Sequence, residues 1–248
     1  MINKKPSFNS ESYQKARPST PAEIIDYLKN NIPSYKKAWD CGTGNGQTAI
    51  KLAEFIDKIH ATDISKDQIS KAFKHKNIKY FESNETSSMF NDESVDLVTA
   101  SQAAHWFDIS KFEKECLRIL KPNGIIAIWT YYRDIQINGK TEVIYQEFLN
   151  AIDSFFPEGN GLVEIYQSIN LNLPMLNAPK FEQTKQMDFD NFIEYLKSIS
   201  AYAEYIKNHR KCPLIELGFY DKFRKSWGEP STINTITWPI VFKCYIKR

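Results

Sequence analysis

Trp39-Asp40-Cys41-Gly42-Thr43-Gly44-Asn45-Gly46 is the stretch on which the fold turns, because it runs from the apolar run KKAWD straight into an amphipathic stretch beginning at Gln47. Three glycines at alternate positions let the backbone turn tightly and approach a ligand closely. Amides at the start of the following helix can then receive a negative group, helped by the helix dipole. A dinucleotide loop of the form G-x-G-x-x-G needs a glycine where Gln47 stands, which disfavours NAD and FAD. No Gly-Lys-Ser/Thr follows, which disfavours the phosphate loop of NTPases.

Working outward, residues 36–130 alternate short apolar runs with amphipathic stretches, the pattern of repeated β-α units around a parallel sheet. The candidate strands are KKAWD, KIHAT, NIKYFE, SVDLVTA and GIIAIWT. Helical spacing predicts helices from Gln47 to Phe55, Lys66 to His75 and Ile109 to Leu120, each with its apolar residues three and four apart on one face. Lys121-Pro122-Asn123-Gly124 should stop the last of these and turn into a strand. Upstream, Thr20-Pro21-Ala22-Glu23 reads as an N-cap, a proline at N1 and a capping-box glutamate, opening a helix through about Leu28.

After Tyr131 the rhythm is lost until Phe181 to Phe189, which suggests another strand, and 140–175 reads as helices and loops inserted over one end of the sheet. Asp190 to Ile199 and Leu214 to Trp227 look helical. Gly228-Glu229-Pro230 breaks the chain before TINTITWPIVFKCYIKR, a β-rich ending in which Pro239 marks a bend, bulge or edge position.

Composition narrows the function classes. The 248 residues are 42% hydrophobic and 25% charged, enough for a sizeable core. The 32 basic and 30 acidic residues leave a net charge of +2, so no global field draws the chain to nucleic acid or anionic lipid. The start, MINKKPSFNSESYQKARPS, has no apolar signal region, and no segment approaches the ~18 uninterrupted apolar residues of a membrane span. A cytoplasmic protein without membrane partners is the expectation. Cys41, Cys116, Cys212 and Cys244 contain no C-x-x-C pair and the four histidines form no ligand-spaced cluster, so neither a disulfide framework nor a metal site is supported.

A second acid sharpens the reading of the glycine loop. Asp63 ends KIHATD, 23 residues after Asp40. A carboxylate there can accept both ribose hydroxyls of a nucleoside ligand, or it can cap the helix that follows, a role Ser65 could equally take.

Asp40, Gly42, Gly44 and Gly46 match, position for position, the first motif of the class I methyltransferases, an acidic residue followed by G-x-G-x-G, and the sequence resembles that family. The resemblance implies an α/β, Rossmann-like, seven-stranded and mostly parallel sheet with helices on both faces and a helical cap insertion. It also implies S-adenosyl-L-methionine as cofactor. A single domain over 1–248 is expected, with an N-terminal lid and helix (1–35), a cofactor-binding core (36–130), the cap insertion (131–180) and C-terminal strands and helices (181–248). In the family the loop cradles the methionyl part of the cofactor and the residue near Asp40 helps position its amino group. Asp63 then takes the ribose, with Ile64 beside it. A polar residue after the third strand sits near adenine, and Asn84 and Glu85 are equal candidates for that place.

Ser94 to Asp108, SVDLVTASQAAHWFD, resembles a subgroup that includes the trans-aconitate and cantharidin methyltransferases of fungi. Tyr13 and Arg17-Pro18 match its Y…R-P pattern. Arg118-Ile119-Leu120-Lys121-Pro122-Asn123-Gly124 matches R-x-L-K-P-G-G with Asn123 in place of one glycine, and Leu196 to Tyr202 looks like its variable cap region. Ser101 to Trp106 would leave the carboxyl end of the fourth strand, where open α/β sheets form their ligand crevice. Ser101 is therefore placed at the cofactor, and Tyr13, Arg17, Gln102, His105, Trp106 and Trp129 at the substrate. Trp106 or Tyr13 could face the sulfonium, with core packing as the alternative for each, as for Trp129. His105 could deprotonate a hydroxyl, orient a carboxylate that needs no base, or be structural. Arg17 could clamp a carboxylate of substrate or cofactor, or stand solvated at the surface.

The leading expectation is O-methylation of a small carboxylic acid. A methyltransferase acting on nucleic acid or protein is disfavoured by the near-neutral charge and by Ser-Gln-Ala-Ala-His-Trp standing where N-P-P-Y-like sequence would be. A third reading is a module that binds the cofactor without turnover.

Overall fold

The computed structural model describes residues 18–156 and 162–248. Strand β1, Lys37–Cys41, is buried along nearly its whole length, as a strand covered on both faces must be. It pairs in parallel with β2, Lys58–Asp63, from Lys37↔Lys58 to Cys41↔Thr62. On its other side it pairs in parallel with β4, Val95–Ser101, from Ala38↔Leu97 to Asp40↔Thr99. Adding β3 (Ile78–Glu82), β5 (Leu120–Tyr131), β6 (Glu182–Met187) and β7 (Asn234–Ile246) gives one sheet in the order β3-β2-β1-β4-β5-β7-β6, with β7 antiparallel to β5. The chain steps outward from β1 to β3 and then returns to β1's other side as β4. Such a reversal, here at the carboxyl ends of β1 and β4, is where open α/β sheets form their ligand crevice.

Alternation along β1 sends its side chains into two separate cores. Ala38 joins Ile24, Ile25 and Leu28 of α1 (Ala22–Asn31) and Ala49 and Leu52 of α2 (Gln47–Leu52) on one face. Trp39 and Cys41 join Phe112, Cys116 and Ile119 of α4 (Ile109–Ile119) and Tyr166 of α6 (Leu162–Ser168) on the other. Helices thus cover both faces, and the short α3 (Lys66–Ser70) links β2 to β3.

Several expected boundaries shift for local reasons. Thr20 does not cap α1: Pro21 holds the N-cap position, no side chain caps the helix, and the Thr20 hydroxyl meets that of Thr48 at 2.9 Å instead. Helices α2 and α3 stop at Leu52 and Ser70, short of Phe55 and His75. Lys121-Pro122-Asn123-Gly124 is an irregularity inside β5 rather than a connection to it, since the register jumps from Val95↔Leu120 to Leu97↔Ile125. Asn123 absorbs the turn at φ 63, a left-handed conformation that asparagine tolerates better than most residues. Beside it the buried Asp96 carboxylate accepts from Ser34 Oγ (2.7 Å), the amides of Lys36 (3.1 Å) and Lys37 (2.9 Å), and Lys121 Nζ (2.7 Å), tying the start of β1 to β4 and β5.

The described residues divide into two compact units. The larger, 19–132, 162–183 and 239–248, carries β1–β5 and the two cores. The smaller, 133–156 and 184–238, contains α5 (Gly139–Ala151), α7 (Phe189–Lys197), α8 (Ser200–His209), α9 (Pro213–Glu216) and α10 (Phe219–Trp227). It packs around Phe148, Phe192, Phe223 and Trp227. Of the stretch 131–180, residues 133–156 fall in the smaller unit and 162–180 in the larger; the smaller unit also holds most of β6 and the start of β7. The helix expected over 214–227 breaks at Gly218, whose φ is 70. Pro239 lies in β7, between β5 and β6 rather than at an edge. The β5 ladder ends there at Tyr131↔Ile240, and only the Pro239 carbonyl is used, accepting from Tyr132 N at 2.8 Å. Among the described residues no helix is long and apolar enough to cross a membrane.

Candidate active site

The loop between β1 and α2 uses its glycines for different purposes. Gly42, Gly44 and Gly46 have φ of 69, 58 and 85, which side chains rarely adopt. A Cβ on Gly42 would lie 2.3 Å from Ala103 Cβ, and one on Gly46 would lie 2.2 Å from the Tyr80 hydroxyl oxygen. These two glycines exist for close approach within the protein. A Cβ on Gly44 would meet no described atom within 4 Å, so this is where the loop backbone faces open space. Asn45 next to it has a buried Nδ2 without a hydrogen-bond partner among the described residues. An open backbone with a spare amide donor suits a polar ligand.

Asp63 converges on this loop, as the sequence leads one to expect. Its Oδ2 accepts from Gly44 N at 2.9 Å and its Oδ1 from Ser65 N at 2.8 Å. The competing cap role goes to Ser65, whose side chain accepts from Gln68 N at the start of α3. Ile64 is 55% exposed, an apolar side chain left facing solvent beside the buried carboxylate.

Asp40 lies beneath the loop, fully buried. Its Oδ2 accepts from Thr43 Oγ1 at 2.5 Å and its Oδ1 from Thr99 Oγ1 at 2.7 Å. Burial pushes its carboxyl from the usual carboxylate range up to about 6, against the pull of the two threonine hydroxyls and with a further push from the charge of Asp63. A raised folded value means that the native state holds this proton more tightly than the unfolded chain. The group's contribution to stability is then complete below its ordinary value near 4 and is lost as pH rises through about 6. Urea unfolding from pH 4 to 7 should show Asp40→Asn losing less stability over that window than the unsubstituted chain, by up to about 3 kcal/mol. Parallel curves would rule out a raised Asp40.

The remaining predicted residues divide into those the fold brings together and those it does not. Asn84 is exposed and closes its own turn, its Oδ1 accepting from Thr86 N (3.1 Å) and Thr86 Oγ1 (2.8 Å). Glu85 accepts from Asp108 N at 3.1 Å, at the start of α4. Ser101 ends β4. Gln102 follows in a left-handed conformation at φ 56, with N donating to Trp129 O (2.9 Å) and Oε1 accepting from Thr130 Oγ1 (2.8 Å). Its side chain is thus engaged with β5. His105 and Trp106 lie on a 3₁₀ turn, Ala104–Trp106, with ring centroids 4.8 Å apart; His105 is half-buried and Trp106 is 38% exposed. Trp129 is only 1% exposed and packs in the core near Phe242, because near the carboxyl end of β5 its side chain points into the layer under α1. It is corrected from a substrate residue to a core residue. Tyr13 and Arg17 lie outside the described residues.

Sequence reasoning missed Thr43, Thr99, Tyr80 and Ala103. Thr99 could have been found only from the strand register, which sets it beside Asp40, and Tyr80 and Ala103 only from the volumes left by Gly46 and Gly42.

Residues 39–128 match the family described as Methyltransferase domain. A Dictyostelium discoideum protein named as a methyltransferase is 30% identical over 213 residues, covering 84% of this chain and 81% of that protein. A Saccharomyces cerevisiae protein named as an S-adenosylmethionine-dependent methyltransferase is 26% identical over 134 residues, half of this chain and 46% of its own length. A solved structure of a type II methyltransferase from Anaeromyxobacter dehalogenans shares 28% identity, with a TM-score of 0.85 over 93% of this chain and 97% of that one. A glycine loop meeting Asp63 at the switch point of a sheet with these relatives places the chain in the class I S-adenosylmethionine-dependent methyltransferases.

Proposed function

We propose that this enzyme O-methylates a small molecule, a carboxylic acid, in the manner of the trans-aconitate and cantharidin methyltransferases that its sequence resembles. The observation that carries this reading is the likeness of Ser94 to Asp108 to that subgroup; its last residues form the turn Ser101 to Phe107 at the end of β4, where His105 is the one titratable side chain and the partly exposed Trp106 stands beside it. A hydroxyl or amine acceptor calls for a proton acceptor in the site. A carboxylate arrives ionised, and positioning with exclusion of water supplies the rate.

Bound S-adenosyl-L-methionine would supply a methyl group activated by a positively charged sulfur. Asp63 would accept the ribose hydroxyls, with Ile64 as apolar contact, and Gly44 would present its backbone to the methionyl part. Asp40 would act from below the loop, and Asn84 or Glu85 would lie toward adenine. Trp106 would turn its ring toward the cation, an attraction of about 0.5 to 2 kcal/mol. His105 would hold the acceptor's carboxylate by a hydrogen bond, so that no proton leaves the acceptor at any atom of the chain.

Transfer of labelled methyl to a panel of small carboxylic acids, run beside RNA, DNA and protein acceptors, tests this. Label in one or more acids is the expected result, and label confined to macromolecules would refute it. A kcat/KM that climbs through the imidazole range and loses that climb in His105→Gln would point instead to a hydroxyl acceptor deprotonated by His105.

A further inference from the structure

The turn that carries His105 and Trp106 begins without a local cap. The first amides of a helical turn have no carbonyl partner within it, and a Ser, Thr, Asp or Asn at the cap position normally supplies one. Here the cap position is Ala103, a methyl group with no acceptor. The donor next to it is met from 62 residues away: Ala104 N donates to the Tyr166 hydroxyl at 3.0 Å. Tyr166 belongs to α6 and is fully buried, so no solvent competes for that oxygen. Burial drives its phenol well above the ordinary range while the Ala104 amide opposes the shift, and it stays a neutral hydroxyl at any working pH.

The same turn is fixed at two other points. Gln102 binds it to β5 through Trp129 O and Thr130 Oγ1, and Ala103 packs on Gly42 of the glycine loop. Of the three attachments, the one at Ala104 adjoins the two side chains that would meet the acceptor. We propose that Tyr166 is a positioning residue for methyl transfer, its hydroxyl capping the turn and thereby setting where His105 and Trp106 stand. This rests on the acceptor binding beside that turn.

Tyr166→Phe removes one oxygen and keeps the ring. In the unsubstituted enzyme the Ala104 amide should be protected from hydrogen exchange, and the variant should lose that protection by about tenfold or more. Affinity for S-adenosylhomocysteine should stay within about twofold, while kcat/KM for an acceptor methylated by the unsubstituted enzyme falls roughly ten- to a hundredfold. Trp39, Trp129, Trp227 and Trp238 are buried, so iodide quenching reads Trp106 directly, and its quenching constant should change in the variant. An Ala104 amide that exchanges freely in the unsubstituted enzyme overturns the cap without any variant. Lost protection with unchanged kcat/KM, where Trp106→Ala does lower it, overturns the positioning role alone. If Trp106→Ala and His105→Ala both leave turnover intact, the placement of the acceptor fails, and the role of Tyr166 with it.

Discussion

Gly42→Ala is expected to unfold the cofactor loop, lowering overall stability by several kcal/mol. Two costs add at this position. At φ 69 a non-glycine residue carries strain of about 1 to 3 kcal/mol. Its new methyl would also stand 2.3 Å from Ala103 Cβ and 3.3 Å from the Phe107 ring. Ala103 Cβ is fixed to its own backbone, so relief requires the loop and the turn after β4 to move apart, an overpacking cost of about 1 to 3 kcal/mol more. For a chain of this size the sum corresponds to a fall in Tm of roughly 5 to 20 °C. Gly44→Ala is the control: its φ is 58 but it meets nothing within 4 Å, so it should cost only the backbone strain, about 1 to 2 kcal/mol. Thermal unfolding of the two variants decides the matter. Equal losses would mean that contact with Ala103 does not constrain the loop.

Asp63→Ala should weaken binding of S-adenosylhomocysteine by roughly 1.5 to 3 kcal/mol, about ten- to a hundred-and-fifty-fold by calorimetry. The carboxylate would be lost twice over, as acceptor for the ribose hydroxyls and as the group that holds Gly44 N and Ser65 N in place. The two losses are separable. Asp63→Asn keeps the shape and one acceptor oxygen, so it should recover much of the loop's order while leaving the affinity low. Unchanged affinity in Asp63→Ala would remove this residue from the ribose site.

The loop and its acid were legible because both are local signals. Glycine at alternate positions reports backbone dihedrals that other residues avoid, and an acid at a strand's end reports its own place in the sheet. The β-α alternation from 36 to 130 was equally readable, since burial on both faces leaves continuous apolar runs in the strands. Helix ends were less so: Thr20 had a capping sequence, but its hydroxyl went to Thr48, a partner 28 residues away. Trp129 reads the same in sequence whether it lines a cleft or fills a core, and only the direction of β5 places it in the core.

What the sequence determined alone was the parallel β-α core, the glycine turn and the acid that meets it, because these depend on spacing along one strand or helix. The tertiary structure decided the buried setting of Asp40 between Thr43 and Thr99, the contacts that demand Gly42 and Gly46, the division of 131–238 between two units, and the Tyr166 cap. Each of these joins residues far apart in the chain, and such a meeting is fixed by strand register and packing volume, neither of which is written in any local pattern.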